Sequence, residues 1–142
     1  MTPRQVELIR ESWTSVEPIQ DGAACLVYAR LFELDPVLGR LFRNTDMAQQ
    51  HKILIQTLTV VVKSLDRFEQ LAPAIEALGR RHAGYGVKPE HYETVGAALL
   101  WSLGLSLGEA FTPELEQAWT DAYSTVSSVM IGASAQGEAV AA

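Results

Sequence analysis

Apolar residues recur at steps of three and four along almost the whole chain, the spacing of helices with one buried side. Thr2-Pro3 reads as a cap followed by proline at the first helical position, and Val6, Ile9, Trp13 and Val16 form the inward stripe. Pro18 and Gly22 interrupt it. A second helix is predicted from about Gly22 to Leu34, with Ala24, Tyr28, Leu31 and Phe32 on one side. Asp35-Pro36 stops it and opens a short helical turn through Val37, Leu38, Leu41 and Phe42. After a polar loop (Arg43 to Asp46) a long helix runs from Met47 to about Leu65, its stripe Met47, Leu54, Leu58, Val61 and Leu65. The pattern breaks at Asp66 to Gln70. The next helix carries Leu71, Ile75, Leu78 and His82 on one face and must stop near Gly84 and Gly86. Pro89 starts another, with Tyr92, Val95, Leu99 and Leu103 inward. Thr112-Pro113 opens the last, through Trp119, Tyr123, Val126 and Met130. No strand alternation or internal repeat competes. The expectation is an all-α domain of seven to eight helices over residues 1–132, with a fraying tail over 133–142.

Composition narrows the function classes. The chain has 142 residues, enough for one domain with its own core, and a net charge of −6. No basic cluster exceeds Arg80-Arg81, so a nucleic-acid partner is not expected. One cysteine, Cys25, excludes an internal disulfide and thiolate clusters, and its apolar neighbours predict a small buried side chain. The first residues hold no apolar signal segment and no run reaches a membrane span. A cytoplasmic protein without stable membrane insertion, monomeric or weakly self-associating, is the expectation.

Function resides in polar residues on faces that should be apolar. His82 points inward less than a turn before its helix ends, which suits either a metal ligand or a histidine hydrogen-bonded at a helix end. Gln50 shares the face of Leu54 and needs a partner, since burying an unpaired amide costs about 1–3 kcal/mol. His51 lies at the boundary, in register with Ile55 and Leu58. Tyr28 should bury its ring and needs a partner for its hydroxyl. His91 lies off the inward stripe and reads as solvated. If His82, Tyr28 and Gln50 converge, a haem suits them better than zinc. Zinc wants three or four protein ligands, whereas haem needs one histidine and an apolar pocket.

Leu78-Gly79-Arg80-Arg81-His82 with Gly86-Val87, Tyr28-Ala29-Arg30-Leu31-Phe32 with Asp35-Pro36, and Leu41-Phe42 together resemble a globin over roughly Pro3 to Gly132. The likeness is to bacterial single-domain globins and, more distantly, to neuroglobin and the haem domain of flavohaemoglobins. It implies haem b (iron protoporphyrin IX) with His82 as the proximal iron ligand and Phe42 packed on the haem. Leu54 and Val87 become apolar haem contacts, Leu78 lies on the proximal stripe, and Tyr92 and Val95 line that side. Tyr28 and Gln50 become the distal pair facing dioxygen, nitric oxide or carbon monoxide. A shift of one residue would place His51 over the iron instead, as in neuroglobin; the match around Gln56 to Leu58 favours Gln50.

The resemblance implies reversible, high-affinity dioxygen binding for storage, scavenging or transport. Its alternatives are nitric oxide dioxygenation with an external reductase, gas or redox sensing, and a haem-free helical module. The network of flavohaemoglobins joins the proximal histidine to a tyrosine and a glutamate. Tyr92 matches the tyrosine, but Ser134 stands where the glutamate is expected, so His82 should bond a backbone carbonyl such as that of Leu78.

Overall fold

The computed structural model describes residues 1–141, with side chains described as far as residue 135. Six α-helices follow one another: α1 Pro3–Val16, α2 Gln20–Leu34, α3 Met47–Lys63, α4 Phe68–Gly84, α5 Pro89–Leu107 and α6 Pro113–Ala141. That is fewer than the seven to eight expected, because the segment Pro36–Phe42 is a 3-10 helix. Asp35 caps it by accepting from Val37 N at 3.1 Å. Pro36 lacks an N–H and Gly39 weakens α propensity, so the tighter 3-10 winding is favoured over an α-helix. Further 3-10 turns, Glu17–Ile19, Leu65–Arg67 and Gly108–Ala110, join the helices. No strand occurs among the described residues.

The starts of the helices follow their caps. Thr2 and Gln5 form a reciprocal capping box ahead of Pro3. Asp46 accepts from Gln49 N and fixes where α3 begins. Lys88 N donates to His91 Nδ1 at 2.9 Å, so His91 is half-buried and closes the start of α5 rather than being simply solvated.

Packing divides the core in two. The larger cluster joins α1, α2, α5 and the start of α6 around Ile9, Trp13, Val16, Leu31, Leu99 and Trp119. Its polar atoms are satisfied in pairs. Trp13 Nε1 donates to Thr59 Oγ1 at 3.1 Å, Trp119 Nε1 to Ser12 Oγ at 3.0 Å, and Ser102 Oγ to Ala23 O at 2.9 Å. The smaller cluster joins α3, α4, α5 and α6 around Val61, Ile75, Tyr92 and Met130. Two glycines permit its close approach. A methyl built at Gly79 would fall 2.5 Å from Met130 O, and one at Gly96 would fall 2.7 Å from the Tyr123 ring.

Cys25 is exposed, against expectation. Helix α2 turns Ala23, Ala24, Val27, Tyr28 and Leu31 inward. Cys25 lies about 100° beyond Ala24, on the outer side. At the other end, Ala133 is buried and Ser134 Oγ lies 2.9 Å from both Gly79 O and Met130 O. Most of the segment expected to fray lies beyond the described side chains.

Candidate haem and gas-binding site

Helix α4 rests on α6, while α3 packs on α2 and α1. Direct packing between α3 and α4 is sparse. Several apolar residues on and around these helices are only half-buried. Phe42, Leu54, Leu58 and Val95 lean on the larger cluster, and Leu78 and Val87 on the smaller. Apolar surface left half-covered in a closed helical fold is what a flat apolar ligand would finish burying.

His82 ends the α4 face. Its Nδ1 lies 2.8 Å from Leu78 O, as the sequence led one to expect. A carbonyl can only accept, so Nδ1 carries the proton and Nε2 keeps its lone pair for a metal. Burial lowers the His82 pKa from its ordinary 6.5, and the neighbouring Arg81 charge adds to this, so the ring is held in the ligand form. The helix then closes. Gly86 takes a left-handed φ of +94°, and Val87 N donates to His82 O at 3.0 Å. Leu41 packs against this turn, its Cδ2 3.5 Å from where a Gly86 methyl would lie.

Helices α2 and α3 bring Tyr28 and Gln50 together. Gln50 Nε2 donates to Tyr28 Oη at 3.0 Å. The ring of Tyr28 is buried, edge-on to Phe42 at 5.5 Å, and Phe42 packs against Phe32 at 5.5 Å. Burial raises the Tyr28 pKa above 10.0, outweighing the opposite pull of the Gln50 bond, so the phenol keeps its proton. No described residue accepts that proton. His51 stacks on the other side of the Tyr28 ring, 5.2 Å away and 18° from parallel. Sequence reasoning placed His51 at a boundary, or in place of Gln50 over the iron, and missed this contact because Tyr28 lies one helix away.

The donor set fits haem. Among the described residues no three His, Cys, Asp or Glu side chains gather around a bare ion. One uncommitted imidazole nitrogen in a fold with half-covered apolar side chains suits a metal that arrives with its own ring of ligands. Tyr92 and Val95 lie on α5, Tyr92 in the smaller cluster with Ile75 and Met130. An open groove of about 550 Å³ between the start of α1 and Leu65-Asp66 is lined by none of these residues. Its Arg10 is already committed to Val62 O, Lys63 O and Asp66.

Among the described residues the fold is all-helical, with His82 on α4 bonded to Leu78 O and the Tyr28–Gln50 pair where α2 meets α3. The chain belongs to the globin family, whose model matches residues 26–130. It is 34% identical to a neuroglobin of Tetraodon nigroviridis, covering 89% of this chain and 87% of that protein. It is 28% identical to a flavohemoprotein of Bacillus subtilis, covering 91% of this chain but 33% of that longer protein. Among solved structures it resembles an engineered carbene transferase from Rhodothermus marinus, provisionally a nitric oxide dioxygenase. That match has a TM-score of 0.88 and 27% identity over 99% of this chain and 97% of the other. No helix among the described residues is long and apolar enough to cross a membrane.

Proposed function

We propose that this globin holds haem b through His82 and binds dioxygen reversibly and tightly, with Tyr28 and Gln50 as the distal donors. Bound haem would supply an iron at which a diatomic gas binds. Everything else rests on the chain. His82 presents Nε2, fixed in tautomer by Leu78 O. Phe42, Leu54, Leu78, Val87 and Val95 would offer the haem apolar contacts that exclude water, and Tyr92 would back the side of His82.

The observation that carries the reading is the bond from Gln50 to Tyr28 with the phenol proton left over. The amide donates into the phenol oxygen, which polarises its O–H toward a further acceptor. Dioxygen takes on partial negative charge when it binds, and a donor aimed at it contributes about 1.5–3 kcal/mol. Slow escape and high affinity follow. A second reading, nitric oxide dioxygenation served by a separate reductase, is favoured by the Rhodothermus and flavohemoprotein likenesses.

Spectra of the purified protein, reduced and then exposed to dioxygen and carbon monoxide, test the proposal. A stable oxygenated spectrum is expected. A colourless protein that takes up no haem would refute it. A low-spin reduced spectrum abolished by His51→Ala would move the distal role from Gln50 to His51. Sustained conversion of nitric oxide to nitrate with a cellular reductase would favour the second reading.

A further inference from the structure

Tyr92 carries a polar atom that the fold leaves without a protein partner. The residue is 8% exposed, its hydroxyl is fully buried, and no described residue accepts the phenol proton. Its carbonyl is held by Tyr123 Oη at 2.6 Å, which ties the backbone of Tyr92 to α6. The residue borders a cavity of about 50 Å³ whose other walls are Val87, Pro89, Ile131, Ser134 and Ala135. Four of those walls are apolar, so among the described residues only Tyr92 and Ser134 bring side-chain polar groups.

Ser134 has the complementary imbalance. Its Oγ lies 2.9 Å from both Gly79 O and Met130 O. A hydroxyl has one proton to give those carbonyls and keeps lone pairs that can still accept. A donor lacking an acceptor and an acceptor with room for a donor therefore border one cavity. No direct bond joins them among the described residues.

We propose that the cavity is a binding site for one ordered water, which accepts from Tyr92 Oη and donates to Ser134 Oγ. A water needs roughly 10–15 Å³ of such space and at least two polar partners, and both conditions are met. Among the described residues no charged side chain lines the cavity, so nothing described there would compensate an anion. An apolar guest would leave the buried hydroxyl unpaired. The water completes a chain from Tyr92 on α5 through Ser134 on α6 to the Gly79 carbonyl on α4, three residues before His82. Tyr92 and Ser134 are thus positioning residues for the helix that carries the proximal ligand, a role that rests on the haem reading; the water itself does not.

The sign of a stability change decides. With the water in place, Tyr92→Phe removes its anchor and lowers Tm by about 3–5 °C. In a dry cavity the same change removes an unpaired hydroxyl, and Tm would rise. In a cycle with Ser134→Ala, coupling between the two changes is expected despite the absence of a direct bond; strict additivity overturns the bridge. A high-resolution crystal structure should show the water within hydrogen-bond reach of both hydroxyls. These readouts do not require haem. In the haem-loaded protein, Tyr92→Phe is expected to shift the iron–histidine stretching band, and an unmoved band overturns the positioning role.

Discussion

Tyr28 is the residue at which packing and chemistry meet. Its ring packs against both Phe42 and His51 while its hydroxyl accepts from the Gln50 amide. Gln50 therefore acts largely through Tyr28 rather than as an independent donor. Tyr28→Phe is expected to raise the dioxygen dissociation rate at least tenfold, the factor that ~1.4 kcal/mol provides. Gln50→Leu should also raise it, but much less so when Phe already replaces Tyr28. Stopped-flow measurement of the two single variants and the double variant checks this. An unchanged rate in Tyr28→Phe would remove the proposed role. The sequence showed that both residues needed partners, since each sat polar on an apolar face. It could not show that they were each other's partners, because that depends on how α2 meets α3.

Helix α4 shows how an element is aimed. The Leu78 to His82 bond is local, one helical turn, and was expected from the resemblance once Ser134 stood where a glutamate would be. The seat of the helix is not local. Gly79 lets the α4 backbone touch that of Met130, and Ser134 fastens the same residue from α6. Gly→Ala inside a helix ordinarily gains up to about 1 kcal/mol from propensity. At Gly79 the added methyl would instead meet three backbone atoms of Met130 at 2.5 to 2.9 Å, and backbone cannot give way as a side chain can. Gly79→Ala is expected to lose about 2–3 kcal/mol of stability by denaturant unfolding. A gain would contradict the tight α4–α6 seam. Cys25 illustrates the opposite case. In the run Ala23 to Val27 both sides of α2 look apolar, so the pattern alone misplaced it.

Over the whole molecule, burial sets an alkaline limit. Tyr28, Tyr92 and Tyr123 all have pKa values raised above 10.0, chiefly by desolvation, with Tyr92 adding repulsion at Tyr123. Below pH 10 the phenols are neutral in folded and unfolded chains alike, and stability is undiminished. Above it the unfolded chain releases protons that the folded chain retains, so stability falls as pH rises toward the folded values. The unfolding midpoint should drop steadily from about pH 10 upward, with tyrosinate absorbance appearing together with unfolding. A midpoint that stays flat while those tyrosines ionise would contradict their burial.

By itself the sequence determined the helices, their caps, the inward stripes and the polar residues that break them, because each rests on contacts within a few positions of the chain. It also determined that His82 faces inward near a helix end, while the Leu78 O bond was expected only through the family resemblance. Tertiary structure alone decided the rest: the Gln50–Tyr28 bond, the stacking of His51, the exposure of Cys25, and the cavity between Tyr92 and Ser134. Each of these pairs residues from different helices or turns one helical face toward water. Such relations are set by how helices cross, which the periodicity along any one of them does not encode.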